Sequence, residues 1–314
     1  MPEPVQGKAA GSAHYWFIGE CMVELRRAGP GLLAQSFAGD VYNSAVYFER
    51  LTGGKATCFV SAVGTDSVSH ALLDEAAGHG LDTRHVAHAP ERHPGLYWIE
   101  LDAHGERSFL YWRADSAARA MLDEAHYSSL QSQTGVCALL YFSGISLAIL
   151  DEERRTRLLA LARQVKESGS MVAFDSNYRP ALWESREAAL HWCNAATSLC
   201  THALMTFEDE QQLHGDADPS QTLHRLLAAG VQDAVVKLGA KGCLVQTAQL
   251  KDALSIPALK AEPVDTTAAG DSFNAAYLAA RIQGKNSSEA AQAGCQLAAR
   301  VVGYRGAIID KAEW

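Results

Sequence analysis

Pairing of metal-binding residues is what this sequence lacks first. Its seven cysteines, at 21, 58, 137, 193, 200, 243 and 295, include no C-x-x-C, and its twelve histidines no H-x-x-x-H. Zinc-ligand spacing and a disulfide framework are therefore not indicated, and reduced structural thiols are expected. No apolar run reaches the roughly 18 residues of a membrane span, and residues 1–14 have no signal-peptide core, so a soluble cytoplasmic chain with a loose tail over 1–14 is expected. Basic charge is short as well: 27 Lys and Arg stand against 36 Asp and Glu, giving a net charge of -9. That balance argues against a general nucleic-acid or membrane-surface binder. Two nucleotide motifs are missing. After the first apolar run, residues 15–19, the chain reads Gly19-Glu20-Cys21-Met22 where a dinucleotide fold would place G-x-G-x-x-G, and Gly53-Gly54-Lys55-Ala56 lacks the first glycine and the hydroxyl of a P-loop.

What is present points to a layered α/β chain. With 314 residues, 48% of them hydrophobic, a sizeable core can form as one large unit or two. Short buried-strand runs at 56–63, 137–142 and 171–175 alternate with helical patterns, as in a parallel sheet. Residues 93–101 and 106–113 read as two strands of a hairpin joined at 102–105. The two-residue period puts Tyr97, Ile99 and Leu101 on one face and Phe109, Tyr111 and Arg113 on one face of the partner strand. That set is either an ordinary packed face with a snorkelling Arg or a surface able to bind hydroxyls and a carboxylate.

The most informative stretch is residues 263–281. A turn of small residues, Thr267-Ala268-Ala269-Gly270, runs into an Ala-rich helical pattern with Asp271 at the junction. Free N–H groups at a helix start favour an anion, and small side chains let a ligand approach the backbone. The bland alternative is a capping Asp on a tight turn. If the anion is a phosphoryl group, Asp271 is placed to take a hydroxyl proton while the N–H groups of Ala268, Ala269 and Gly270 stabilise charge. Gly39-Asp40 with Asn43 one helical turn on would suit a polyhydroxylated ligand, or simply cap a helix. Asn177 and Arg179 follow an apolar strand, where ligands of open parallel sheets gather. Glu208-Asp209-Glu210 could order magnesium or merely open a helix. The Lys237-Leu238-Gly239-Ala240-Lys241-Gly242 turn could approach a nucleotide, though many hairpins look alike.

The 263–281 run closely resembles the C-terminal signature of the ribokinase (PfkB) carbohydrate kinases, Asp-Thr-x-Gly-Ala-Gly-Asp, with Ala268 replacing the first glycine. That replacement is expected to exclude an easy positive φ. Other variants of family motifs are Ala38-Gly39-Asp40 with Asn43, Asp175-x-Asn177-x-Arg179, and Leu238-Gly239-x-x-Gly242; Phe207 stands where the family's usual Asn would precede Glu210. The resemblance, spanning 15–309, implies a three-layer α/β domain over 15–314, a mostly parallel sheet, and a small β-sheet lid at about 21–38 and 93–114. It implies ATP and Mg2+, Asp271 as base with Ala268, Ala269 and Gly270 as anion hole, and sugar contacts from Gly39, Asp40 and Asn43. Asn177, Lys237, Gly239, Lys241 and Gly242 would lie along the nucleotide and Glu210 near the metal. Gly64-x-Asp66 is assigned structure, not chemistry. Within the family, Gly19 to Leu25, Pro94 to Tyr97 and Tyr111-Trp112-Arg113 resemble the branch acting on a six-carbon 2-keto-3-deoxy sugar acid. That likeness makes Tyr97, Tyr111, Arg113 and Arg179 substrate contacts, the two arginines a carboxylate clamp. A kinase of a neutral sugar such as fructose or tagatose is the nearest rival, and a non-catalytic binding protein is the other class. Lid strands are also edge strands, so a homodimer through the lids is expected.

Overall fold

The structure, a computed structural model, describes residues 13–54, 56–101 and 107–314. The turn expected at 102–105 and most of the tail expected over 1–14 lie outside these residues. In chain order the strands are β1 (His14–Ile18), β2 (Met22–Gly29), β3 (Leu32–Ala38), β4 (Thr57–Val63), β5 (Val86–His88), β6 (Leu96–Leu101), β7 (Arg107–Trp112), β8 (Cys137–Ser143), β9 (Met171–Asp175), β10 (His202–Thr206), β11 (Asp233–Lys237), β12 (Cys243–Thr247) and β13 (Leu254–Ile256). The α-helices are α1 (Asp40–Thr52), α2 (Ser67–Gly78), α3 (Glu124–Gln131), α4 (Gly144–Ala148), α5 (Glu152–Glu167), α6 (Arg186–Leu199), α7 (Phe207–His214), α8 (Pro219–Ala228), α9 (Ala269–Ile282) and α10 (Ser287–Val301).

Nine strands form one sheet in the order β13-β12-β11-β10-β9-β8-β1-β4-β5. From β11 to β5 every pairing is parallel; β12 and β13 join antiparallel at one edge. The apolar runs explain this. A parallel sheet is covered on both faces, so its strands read as nearly unbroken hydrophobic stretches, and β4 is buried along its whole length. Successive side chains then feed two cores. Trp16, Ile18, Val60, Phe142 and Phe174 meet Leu158, Leu161 and Cys193 of α5 and α6 on one face. Phe17, Phe59, Tyr141 and Val235 meet Tyr42, Phe273 and Leu278 of α1 and α9 on the other. Each fully buried large apolar side chain contributes roughly 1.5–3 kcal/mol, so this double burial fixes three layers.

The smaller sheet has the order β3-β2-β6-β7. Its register pairs Tyr97 with Tyr111 and Ile99 with Phe109, which is the face alternation expected from the sequence. Tyr97 and Ile99 are buried beside Met22, Ala38 and Ala307. Gly39 links this sheet to α1, and glycine is required there because a Cβ would sit 2.1 Å from the Glu20 carbonyl oxygen. The carboxyl ends of β8, β9 and β11 and the first turns of α1 and α9 therefore converge on one place.

Candidate active site

Asp271 occupies the first turn of α9. Its Oδ2 accepts from Asn43 Nδ2 at 2.9 Å, and its backbone oxygen accepts from Ser44 Oγ at 3.1 Å. Both partners lie on α1, so the contact between the two helices sets the carboxyl group in place. Burial pushes the Asp271 carboxyl up to about 8, and the nearby Asp40 charge adds to the rise. The Asn43 bond opposes it, Asp175 raises it further, and Lys237 lowers it.

The turn leading into Asp271 is held by Asp265, a buried carboxylate that accepts from Thr267 N at 2.9 Å and Gly306 N at 2.6 Å. Ala268 caps α9 at φ 59° and ψ 16°. The sequence-based expectation was wrong here: alanine adopts the left-handed region that the family's glycine would take, at a cost of about 1–2 kcal/mol. Asp265 ties the turn to Thr267, next to Ala268, and to Gly306 far along the chain, which holds the conformation in place. Of the expected anion hole, Ala269 N–H already donates to Thr266 O at 3.3 Å. At Gly270 a Cβ would lie 3.7 Å from Lys237 Nζ, which brings that charge close to the helix start.

Beneath this turn lies a buried network that sequence reasoning did not assemble. Lys237 Nζ donates to Asp175 Oδ2 at 2.7 Å and to Asn274 Oδ1 at 3.0 Å, while Asn274 Nδ2 reaches Asp175 Oδ2 at 2.7 Å and the Tyr141 hydroxyl at 3.0 Å. The one available signal was Asn274 itself, a buried amide three residues after Asp271 in an Ala-rich helix, and hence on the same side. Lys237 thus places its charge under the helix start through Asp175 and Asn274. Asn177, at φ 32°, donates from Nδ2 to Asp40 Oδ2 at 2.8 Å. The structure therefore ties it to the expected sugar side, whereas the sequence reading set it beside the phosphates.

The smaller sheet modifies the expected clamp. Arg113 is 9% exposed and its Nη2 pairs with the buried Glu20 carboxylate; the Tyr97 hydroxyl donates to the buried Glu24. Glu24 also accepts from Ser36 Oγ at 3.0 Å. Neither acid was singled out from sequence. Arg113 is therefore not a free guanidinium, as the sequence reading assumed, although its Nε is buried without a partner among the described residues. Tyr111 is half exposed, and burial raises its phenol pKa against the smaller lowering effect of the Arg113 and Arg179 charges. The Arg113 guanidinium lies 5.9 Å from the Tyr111 ring centroid. The half-exposed Arg179 donates from Nη1 to Tyr178 O at 2.9 Å and lies 3.3 Å from Asp209 Oδ1. Burial pushes the Asp209 carboxyl up to about 6 in spite of Arg179.

Two expectations sit apart from this cluster. Glu210 is 1% exposed, with Oε2 held by Arg225 at 2.6 Å. Glu210, expected to order magnesium's water shell, is thus a carboxylate already paired with Arg225. On the β11–β12 turn, Gly239 has φ 56° beside open space, and exposed Lys241 leaves its side chain to solvent. Gly242 is required structurally, because a Cβ there would lie 2.0 Å from Ile256 O.

Comparison with known proteins identifies the family. Residues 16–314 match the profile of the pfkB family carbohydrate kinases. The 2-dehydro-3-deoxygluconokinase of Dickeya dadantii is 41% identical over 297 residues, covering 93% of this chain and 95% of that protein. The enzyme of the same name from Escherichia coli strain K12 is 41% identical over 298 residues, covering 94% and 96%. Among solved structures, a fructokinase from Vibrio cholerae in a fructose, ADP and calcium ion bound form superposes with a TM-score of 0.82 at 26% identity, covering 95% of each chain.

Proposed function

The chain belongs to the pfkB family of carbohydrate kinases, and from that premise we propose that it phosphorylates the terminal hydroxyl of 2-dehydro-3-deoxy-D-gluconate. ATP supplies the phosphoryl group, and the products are the 6-phosphate and ADP. The observation that carries this reading is the Asp271 carboxyl, held by Asn43 at the start of α9 and raised to about 8. A base poised near neutral pH takes the proton from the attacking hydroxyl as the new P–O bond forms and the bond to ADP breaks. The N–H groups of Ala268 and Gly270, with Lys237 beneath them, favour the charge that develops on the phosphoryl oxygens. Ala269 joins them once its weak turn bond yields. Gly39, Asp40 and Asn43, with Asn177 steadying Asp40, hold the sugar hydroxyls.

Arg179 and Tyr111 bind the substrate carboxylate, and the unpartnered Nε of Arg113 adds a donor. The Glu20–Arg113 pair also supports a second reading, because a neutralised Arg113 would suit an uncharged sugar such as fructose or tagatose. Tyr97 then shapes the floor of the smaller sheet rather than donating its own hydroxyl. Gly239, Lys241 and Gly242 line the nucleotide. Magnesium enters as the partner of the triphosphate. The protein groups fit it poorly as direct ligands, since Glu210 is paired with Arg225 and Asp175 with Lys237, so no step is assigned to the ion. Residues 15–314 act as one kinase domain with a lid over 21–38 and 93–114, and the cytoplasm is the proposed compartment. Among the described residues no helix is long and apolar enough to cross a membrane.

The test is ATP consumption across a panel of sugars and sugar acids, for the wild type and Asp271→Asn. The keto-deoxy acid should be the preferred acceptor, and the variant should lose at least about 10²-fold in kcat. Product formed at an undiminished rate by Asp271→Asn would overturn the assigned base.

A further inference from the structure

At the opposite end of the large sheet, three residues far apart in sequence meet. His14 starts β1, Cys58 is the second residue of β4, and His85 directly precedes β5. We propose that His14, Cys58 and His85 form a binding site for a divalent transition-metal ion of the zinc class.

The three potential ligand atoms lie within 4.8 Å of one another. Cys58 Sγ is 3.5 Å from His14 Nδ1. A tetrahedral ion with a sulfur at about 2.3 Å and a nitrogen at about 2.0 Å would hold those ligands roughly 3.5 Å apart, so this edge of the site already has the required length. One thiolate and two imidazoles select a borderline-soft ion of the zinc, cobalt or copper kind over magnesium or calcium, which take oxygen ligands. Three protein ligands leave a fourth position for water.

The backbone sets these groups in place without any ion. Trp16 is in parallel register with Cys58, which fixes His14 near the head of β4. Thr57 O accepts from Asp82 N at 2.8 Å and Asp82 O from Phe59 N at 3.0 Å, which holds the 82–85 segment along β4. The His85 ring lies 5.9 Å from that of Trp16, and His85 O is 3.1 Å from His126 Nε2. Cys58 is fully buried, but His14 is partly exposed, so an ion can enter from the His14 side. Cys58 Sγ points towards Asp82 Oδ2, 3.7 Å away. That carboxylate is taken up by Arg84 and stays outside the ligand set. On binding, the sulfur–metal bond replaces the S–H bond and the thiol proton leaves to solvent. Spacing motifs could not reveal the site, because sheet pairing, not sequence proximity, brings its ligands together.

The full chain, reduced and freed of metal, should be titrated with cobalt(II) and followed by absorption. One equivalent should produce a near-ultraviolet sulfur-to-cobalt charge-transfer band with the visible bands of tetrahedral cobalt, and zinc should abolish both. Cys58→Ser should lose the charge-transfer band, and His14→Ala should weaken cobalt binding at least about tenfold. Kinase activity, which resides at the other end of the sheet, reports whether each variant is folded. If Cys58→Ser does not fold, His14→Ala, at a partly exposed strand start, decides alone. A wild type without the charge-transfer band, a band that survives in folded Cys58→Ser, or unchanged affinity in His14→Ala would each overturn the site.

Discussion

A single carboxyl group links catalysis and stability in this protein. Asp271 has an ordinary value near 3.8 and is raised to about 8 in the fold, first by burial and then by Asp40. Because the folded chain holds that proton more tightly than the unfolded chain, the group's stabilising contribution is complete below about pH 4 and is lost as pH rises through about 8. Asparagine at this position keeps an oxygen for Asn43 and never ionises. Asp271→Asn should therefore unfold at a higher temperature than the wild type, with a gap that widens between pH 5 and pH 9, while losing activity; calorimetry across that range checks it. A gap that is constant or narrows with pH would show that the folded carboxyl is not raised. At this scale the sequence was legible where a motif named a residue, as for Asp271 and Asn43, and misleading where backbone constraint overrode a preference. Ala268 is the example: its left-handed conformation is imposed by the Asp265 anchor to Thr267 and Gly306, partners 2 and 41 residues away from that acid.

Among the elements, the smaller sheet and the β9 loop differ in how tightly they hold their arginines. Arg113 is buried against Glu20, so removing it strands a buried carboxylate, and a loss of activity would confound binding with folding. Arg179 side-chain exposure is 52% and its ionic partner is the 3.3 Å contact with Asp209. Asp209 is 14% exposed, but half of the Arg179 side chain is in solvent, and pairs screened on one side in this way contribute about 0–1 kcal/mol to stability. Arg179→Ala should accordingly leave the melting temperature nearly unchanged while raising KM for the keto acid about tenfold or more, the worth of a charged hydrogen bond, and should leave KM for a neutral sugar little altered. Steady-state kinetics on both acceptors checks this, and equal effects would favour the neutral-sugar reading. The hairpin face that carries Tyr97 and Tyr111 was readable from its two-residue period. The Glu24 and Glu20 partners were not, because β2 meets β6 through a parallel pairing across more than 70 residues and Glu20 meets Arg113 across 93.

For the whole molecule, the exposed apolar surface of the smaller sheet has a consequence for assembly. Its two edges, β3 and β7, present Leu32 at 65%, Leu33 at 48%, Leu110 at 46% and Trp112 at 58% exposure. Edge strands with such side chains invite pairing, and two copies of one chain satisfy that most simply about a two-fold axis. The alternation of strands and helices made the large sheet legible, since double burial leaves continuous apolar runs. Association between copies leaves no comparable periodic trace, because an exposed leucine alone is ordinary. We propose a dimer through these sheets, with sedimentation velocity as the check. The wild type should sediment at twice the chain mass, and Leu33→Lys with Trp112→Lys should sediment at the chain mass while staying folded, because both side chains lie outside the two main cores. A dimer that survives both substitutions would place its interface elsewhere. A monomeric wild type would mean that the smaller sheet works on its substrate alone.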